Sequence, residues 1–226
     1  VNQARTDDGR SPLYTAAYAG HTEIVRCLVE RPGVNVNKAT TDTGETPLYT
    51  AANQGHTEIV RCLVERPGVD VNQARTDDGS TPLYITANFG HTDIVRCLVE
   101  RPGVDVNQAE TDDGITPLFV AAEQGHTEIV RCLVERPGVD VNQAKTDDGM
   151  TPLVIAALQG HTDIVRCLVG RPGVDVNQAT TIHGVAPLMI ACDQSHLGIV
   201  RCLIQSGRAN INHTAYDGTN ALYDAC

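Results

Sequence analysis

The sequence predicts an all-α solenoid in which short helix-turn-helix repeats stack on one another. Three observations predict this fold class. Six His residues, from His21 to His196, and six Pro residues, from Pro12 to Pro187, recur every 35 residues. Neighbouring copies are nearly identical, since residues 78–112 and 113–147 differ at only eight of 35 positions. Each copy is too short to bury an apolar face alone, so adjacent copies have to share a core.

Each repeat is predicted to begin with a short inner helix. Thr81 is suited to cap the helix N-terminus, and Pro82 fits the first turn, where a backbone N–H has no partner within the helix. Leu83 to Ala87 continue the helix. Gly90 supplies the left-handed residue that commonly ends one.

A longer outer helix is predicted to follow from His91 and Thr92. Four apolar residues between positions 94 and 99 recur at helical spacing, while Arg96 points to the opposite side. Arg101-Pro102-Gly103 ends the helix. The connection VDVNQAETDDG comes next, and its Asp-Gly end is a short-range hairpin signal, so a β-hairpin or loop connection is predicted between repeats.

The period predicts one domain over residues 1–226. It comprises a partial repeat 1–7, repeats 8–42, 43–77, 78–112, 113–147, 148–182 and 183–216, and a partial repeat 217–226. The last full repeat departs most from the others, because Ser195 stands where they have Gly. A left-handed Ser costs on the order of 1 kcal/mol relative to Gly. The partial repeats at both ends lead us to expect a fragment of a longer array.

The order of these motifs resembles the ankyrin repeat. G-x-T-P-L, the short helix, G-H-T-E-I-V and V-D-V-N recur in register over essentially all of residues 1–226. The resemblance implies a right-handed superhelix whose hairpins and inner helices line a concave, partner-binding side. The repeats differ from the usual unit of about 33 residues, and Tyr, Phe, Val or Met replaces the usual His after T-P-L.

Composition excludes several classes of function. The chain has 28 acidic and 17 basic residues, with a net charge of -11. Because nucleic-acid binding normally requires a basic face, we expect no nucleic-acid partner. No apolar run approaches the roughly 18 residues of a membrane-spanning helix, so we expect no membrane insertion.

The cysteines predict a reducing environment. Six of the eight share one position of the outer helix: Cys27, Cys62, Cys97, Cys132, Cys167 and Cys202. Stacked helices lie about 8 to 10 Å apart, too far for disulfides between equivalent cysteines. We expect small buried residues in an intracellular, cytoplasmic protein. Cys192 and Cys202 form the one plausible internal pair, and Cys226 is expected to be a free end.

The sequence predicts neither catalysis nor a cofactor. No C-x-x-C pair occurs, and His91 and Cys97 lie six residues apart, on different faces of one helix, so no metal site is expected. Asp-Asp-Gly recurs at four of the connections, which indicates turn chemistry rather than one catalytic pair of carboxylates.

The differences between copies indicate where a partner would bind. Seven of the eight differences between residues 78–112 and 113–147 fall on the connection or the inner helix. The predicted partner-binding residues are Ser80, Asn88, Phe89, Ile115, Glu123, Gln124, Met150, Leu158, Gln159, Val185 and Asp193. Among them Ile115, Met150 and Val185 form an apolar stripe, and the acidic turns favour a basic partner. The alternative is neutral drift after recent duplication.

These observations favour a non-enzymatic scaffold that binds a protein or peptide on its concave side. Two other functions stay open: a structural spacer within a longer array, and the regulatory arm of a larger enzyme or toxin. We expect a monomer, and end-to-end association through uncapped faces is a further alternative.

Overall fold

The structure, a computed structural model, describes residues 2–3 and 7–221. It separates into two compact units, Val1–Asp112 (unit 1) and Asp113–Cys226 (unit 2), and their boundary falls between two predicted repeats. The single domain over residues 1–226 stays a prediction. Cys226 and much of both partial repeats lie outside the described residues.

Each unit contains three repeats of an inner and an outer helix within the described residues. In unit 1 the inner helices are α1 (Pro12–Tyr18), α3 (Pro47–Asn53) and α5 (Pro82–Phe89), and the outer helices are α2 (Thr22–Val29), α4 (Thr57–Val64) and α6 (Thr92–Val99). In unit 2 the inner helices are α7 (Pro117–Glu123), α9 (Pro152–Leu158) and α11 (Pro187–Asp193), and the outer helices are α8 (Thr127–Val134), α10 (Thr162–Val169) and α12 (Leu197–Gln205). The predicted all-α solenoid repeat is therefore confirmed.

The inner helices begin and end as their sequences predict. The hydroxyl of Thr81 accepts a hydrogen bond from the Tyr84 N–H at 3.1 Å, which satisfies one otherwise unpaired donor of the first turn. Ala186 occupies this cap position in α11 and provides no such bond. Gly90 is left-handed, with φ of 77°. Ser195, with φ of 57°, is the one non-glycine residue with positive φ in the described part of the chain.

The core of each unit lies between stacked helices. Inner helices pack on inner helices, and outer helices pack on outer helices. Leu98 and Val95 of α6 are fully buried, as the helical spacing predicts. Tyr14, Tyr49 and Phe119, which replace the usual His after T-P-L, are also buried. These side chains therefore fill space between layers.

Of the predicted β-hairpin or loop connections between repeats, the described residues form loops. Within the described residues the one β-bridge is the isolated pair Thr214 and Asn220. The arms of a connection share single backbone bonds, such as that from the Arg75 N–H to the Ser80 carbonyl at 2.9 Å. The neighbouring N–H of Thr76 instead donates to the Thr43 carbonyl of the preceding connection at 2.9 Å. Because these peptide groups link adjacent repeats, they do not form a two-stranded ladder.

Within each unit, the last Asn of the V-D-V-N or V-N-V-N segment links neighbouring repeats. The Asn37 side-chain amide donates to the Gly68 carbonyl at 2.7 Å, and its carbonyl accepts from the Asp70 N–H at 2.9 Å. Asn142 makes the same two contacts in unit 2, with Gly173 and Asp175. One side chain thus bridges two backbone groups of the following repeat.

The repeated His residues provide a second link. His161 lies at the start of α10, as predicted, but its ring makes no local capping bond. Its Nε2 lies 3.1 Å from the carbonyl of Glu123 at the end of α7, the inner helix of the preceding repeat. The ring also covers Gly125, because a Cβ built on that glycine would lie 2.7 Å from the ring Cε1. A residue with a Cβ at position 125 would therefore clash with the His161 ring of the following repeat, so this contact requires glycine.

Candidate partner-binding surfaces

An open groove in unit 2 runs over the ends of the connections and the inner helices α9 and α11. We call it the inner groove, and its volume is about 370 Å³. Its lining residues are Met150, Leu158, Thr180, His183, Val185, Met189, Ile190, Asp193, Asp217 and Thr219. The structure thus brings together four of the residues predicted to contact a partner: Met150, Leu158, Val185 and Asp193.

Turn hydrogen bonds position the apolar residues of the inner groove. The Met150 N–H donates to a carboxylate oxygen of Asp148 at 2.8 Å. The Val185 N–H donates to the Thr180 hydroxyl at 3.1 Å. Because these bonds fix the connections locally, Met150 and Val185 are held half-buried, with part of each side chain accessible.

The rim of the inner groove is anionic. Asp193 and Asp217 are both exposed. The N–H and hydroxyl of Thr219 donate to one oxygen of Asp217 at 2.9 and 2.7 Å. The backbone N–H bond from Thr219, followed by the hydroxyl bond, lowers the pKa of Asp217 below its usual value. The inner groove therefore combines an apolar floor with two exposed carboxyl side chains on its rim.

The corresponding face of unit 1 is aromatic and charged. The Arg10 guanidinium lies 5.5 Å from the ring centre of Tyr14 and 6.0 Å from that of Tyr18. The Tyr14 hydroxyl donates to a Glu45 carboxylate oxygen at 2.6 Å. Burial and this bond raise the pKa of Tyr14 to about 12. These aromatic and charged side chains contact one another, so this face differs from the apolar inner groove.

Ser80, one of the predicted partner-binding residues, is buried in the structure. It is only 2% exposed. Its hydroxyl lies 2.9 Å from the Tyr49 hydroxyl and donates to Asp78 at 2.7 Å. The residue after the turn Gly points inward here because a small polar side chain can join this buried network. Ser80 therefore does not belong to an accessible surface.

The other predicted residues lie outside the inner groove. In unit 1, Phe89 is 55% exposed and Asn88 is half-buried. In unit 2, Gln124 and Gln159 are exposed, whereas Ile115 and Glu123 are half-buried. Their role as partner contacts stays a prediction.

Sequence reasoning missed part of the inner groove. Ile190, Met189 and Asp217 line it but were absent from the predicted set. Asp217 aligns with the Asp residues that precede the turn Gly in earlier repeats, so the repeat alignment carried the signal. Met189 and Ile190 belong to the continuous apolar run from Leu188 to Ala191 on α11, a pattern that indicates core packing as strongly as a binding surface.

The cysteines are less buried than predicted. Cys27 is exposed, and the other six cysteines of the described residues are half-buried thiols. The predicted pair Cys192 and Cys202 is not joined by a disulfide. The shared position lies at the margin of the outer helix, beside the groove between consecutive outer helices. Partial burial there raises the pKa of Cys62 and Cys97.

A metal-ligand cluster and a membrane-spanning helix are both absent from the described part of the chain. No group of three or more His, Cys, Asp or Glu side chains is arranged there to hold a metal ion. None of its helices is long and apolar enough to cross a bilayer.

Solved structures share this architecture. The ankyrin repeat domain of Bcl-3, titled a unique member of the IkappaB protein family, has a TM-score of 0.85 at 26% identity, covering 97% of this chain and 96% of that one. The human ASB11 ankyrin repeat domain has a TM-score of 0.75 at 28% identity, with 96% and 92% covered. The ankyrin repeat protein EF0377 has a TM-score of 0.77 at 27% identity, with 85% and 96% covered.

Family comparison agrees with these structures. No curated protein gives a significant match. The family model for ankyrin repeats in three copies matches residues 1–75, 33–110, 68–145 and 102–180. The model for a single ankyrin repeat matches residues 183–216, the last full repeat. The chain belongs to the ankyrin-repeat family.

Proposed function

We propose that this protein is a non-enzymatic interaction scaffold that binds a protein or peptide at the inner groove of unit 2. Ankyrin-repeat proteins generally mediate protein–protein interactions, and their repeat domains are typically non-catalytic. The observation that carries the proposal is the convergence of Met150, Leu158 and Val185 on one accessible groove. Isolated apolar surface residues are common, whereas several lining one groove are typical of a binding site.

The chemistry of the inner groove favours a partner with an apolar side chain next to a basic one. Burial of an apolar side chain against Met150 and Leu158 stabilises a complex by about 25 cal/mol per Å². Asp193 and Asp217 on the rim attract Lys or Arg. The net charge of -11 also favours the approach of a basic partner.

The local rigidity of the inner groove supports binding. Side-chain to backbone bonds hold the connections at Asp148, Thr180 and Asp217. A surface fixed in this way loses little conformational entropy when a partner binds. We include a reducing, intracellular location in the proposal, since half-buried thiols such as Cys97 and Cys202 persist there.

A displayed library of random peptides tests this proposal. We expect the chain to enrich peptides in which an apolar residue adjoins Lys or Arg. The double variant Met150→Glu/Leu158→Glu should weaken these peptides at least about 100-fold, because two apolar contacts of about 1.5 kcal/mol or more each are lost. Earlier repeats already have Glu45 and Glu123 at the equivalent positions, so the fold accommodates the substitutions.

The matched control places the same charges elsewhere. Ile24 and Ile204 on outer helices are 50% and 51% exposed, and the variant Ile24→Glu/Ile204→Glu should bind as the unaltered chain does. Equal loss in both variants would contradict binding at the inner groove. If no peptide is enriched, the spacer alternative is favoured instead.

A further inference from the structure

A second type of groove lies between consecutive outer helices. In unit 1, the groove between α2 and α4 is lined by Arg26, Val29, Glu30, Glu58, Arg61, Cys62, Glu65 and Arg66. In unit 2, the groove between α10 and α12, here called the outer groove, has a volume of about 590 Å³. Its lining residues are Arg166, Val169, Gly170, Gly198, Arg201, Cys202, Gln205, Ser206 and Arg208.

The two grooves correspond residue by residue, four repeat lengths apart. Arg26, Arg61 and Cys62 align with Arg166, Arg201 and Cys202. The three glutamates differ. Glu30, Glu58 and Glu65 align with Gly170, Gly198 and Gln205, respectively. The outer groove has therefore lost every carboxylate of its counterpart while it keeps two of the three arginines.

Another groove in unit 1 shows which composition is typical. The groove between α4 and α6 is lined by three arginines and by Glu65, Asp93 and Glu100. Both grooves of unit 1 are therefore balanced between cations and carboxylates. By contrast, none of the described residues lining the outer groove carries a carboxylate, and three of them are arginines. This positive cluster stands out in a chain with a net charge of -11.

Arg208 restores the third cation from a new position. Ser206-Gly207-Arg208 replaces the Arg-Pro-Gly of other repeats, so Arg208 stands where they have Gly. One guanidinium nitrogen donates to the Val174 carbonyl at 3.1 Å, and another donates to the Val169 carbonyl. These bonds hold the Arg208 guanidinium beside the outer groove and use two of its five N–H donors.

The neighbouring carboxylate does not neutralise the cluster. Asp163, outside the lining, pairs with Arg166 at 2.6 Å, and both side chains are two-thirds exposed. Exposed pairs of this kind are worth little, so Arg166 can exchange Asp163 for another anion at small cost. Arg201 and Arg208 provide the remaining excess of positive charge.

We propose that the outer groove binds an acidic peptide segment of a partner protein, through its carboxylate or phosphate groups. Guanidinium groups bind both anions through paired N–H donors. The volume of the outer groove exceeds one such anion, so it takes a short length of chain. A long polyanion such as nucleic acid is disfavoured, because it would extend beyond these arginines onto the acidic remainder of the protein, whereas a short acidic segment stays within the outer groove. This site is independent of the inner groove and requires different partner chemistry.

The test uses three fluorescent peptides of one sequence that differ at two positions, with Glu, phosphoserine or Ser. We expect the Glu or the phosphoserine peptide to bind at low salt, more weakly as salt is added, and the Ser peptide at least tenfold more weakly. The tighter of the two anionic peptides then identifies the anion. Equal binding of all three, or equal binding of single-stranded DNA, would overturn the proposal.

Internal substitutions supply matched controls. The triple variant Gly170→Glu/Gly198→Glu/Gln205→Glu restores the carboxylates of unit 1 and should reduce binding at least tenfold. Glu occupies all three equivalent positions in unit 1, and a Cβ on Gly170 or Gly198 meets no atom closer than 3.3 Å. Circular dichroism checks that the variant is folded.

The reciprocal variant provides a gain of binding. Glu30→Gly/Glu58→Gly/Glu65→Gln should create a second anion-binding groove in unit 1. The inner-groove variant Met150→Glu/Leu158→Glu should bind the acidic peptide unchanged, which separates this proposal from the function proposed above. Undiminished binding by the folded triple variant would assign the anion to another surface and contradict the proposal.

Discussion

The contact between Gly125 and His161 predicts a stability loss with two separable parts. Gly125 has φ of +79°, where an L-residue such as Ala costs about 1 to 2 kcal/mol. In the variant Gly125→Ala, the new Cβ would also lie 2.7 Å from Cε1 of His161, so the ring has to move by about 0.7 Å to reach normal contact. That movement strains the bond from Nε2 to the Glu123 carbonyl, worth about 0.5 to 1.5 kcal/mol.

Gly138 is the matched control for this prediction. It has φ of +83°, and a Cβ built there meets nothing within 4 Å, so Gly138→Ala should cost only about 1 to 2 kcal/mol. Urea unfolding followed by circular dichroism gives both values, provided that the denaturant slopes agree. Gly125→Ala should exceed Gly138→Ala by about 0.5 to 1.5 kcal/mol.

A double-mutant cycle tests the cause of the difference. In a His161→Ala background the ring is absent, so Gly125→Ala should cost no more than Gly138→Ala does. If the cost of Gly125→Ala is the same with and without His161, the ring contact is not its source. That result would refute the inference that the His161 ring requires glycine at position 125.

Two further predictions concern a helix cap and a buried phenol. Ala186→Thr should raise the free energy of unfolding by about 1 kcal/mol in urea melts, because Thr provides the capping bond that the other five inner helices of the described chain have. An unchanged free energy of unfolding would show that the missing cap bond does not limit stability. The pKa of Tyr14, raised from 10.0 to about 12, predicts that stability falls from pH 10 to pH 12, because only the unfolded phenol loses its proton over that range. Tyr14→Phe should remove this part of the pH dependence in parallel melts, and an unchanged profile would contradict it.

The sequence predicts the helices well because the period, the caps and the apolar spacing agree. Thr81, Pro82 and Gly90 bound an inner helix as expected. The choice between β-hairpin and loop connections stayed open, because Asp-Gly indicates a turn without specifying where the adjacent peptide groups bond. The Thr76 N–H bonds to the preceding connection, and such a partner 33 residues away is not a local signal.

The predicted partner-binding residues that line the inner groove include the large side chains of Met150 and Leu158, whereas the small side chain of Ser80 turns inward. Met150 and Val185 have too much apolar surface for the buried polar network that accommodates Ser80, so the same repeat position is accessible in one case and buried in the other. The burial of the cysteines was overestimated because helical spacing predicts which face of the outer helix a side chain lies on. It does not predict how wide the groove between neighbouring outer helices is, and this width sets how far the thiols are exposed. The loss of glutamates at 170, 198 and 205 was visible in the aligned repeats, but its meaning depends on which side chains share one groove.

The asparagine link has a consequence for how such a protein changes over generations. Asn37 and Asn142 recognise only main-chain atoms of the neighbouring module, and those atoms are present whatever side chains that module carries. A whole 35-residue block can therefore be gained, lost or exchanged by recombination without mismatching the junction. Each new copy would form the same junction with its neighbours, and its surface residues could diverge to bind a different ligand.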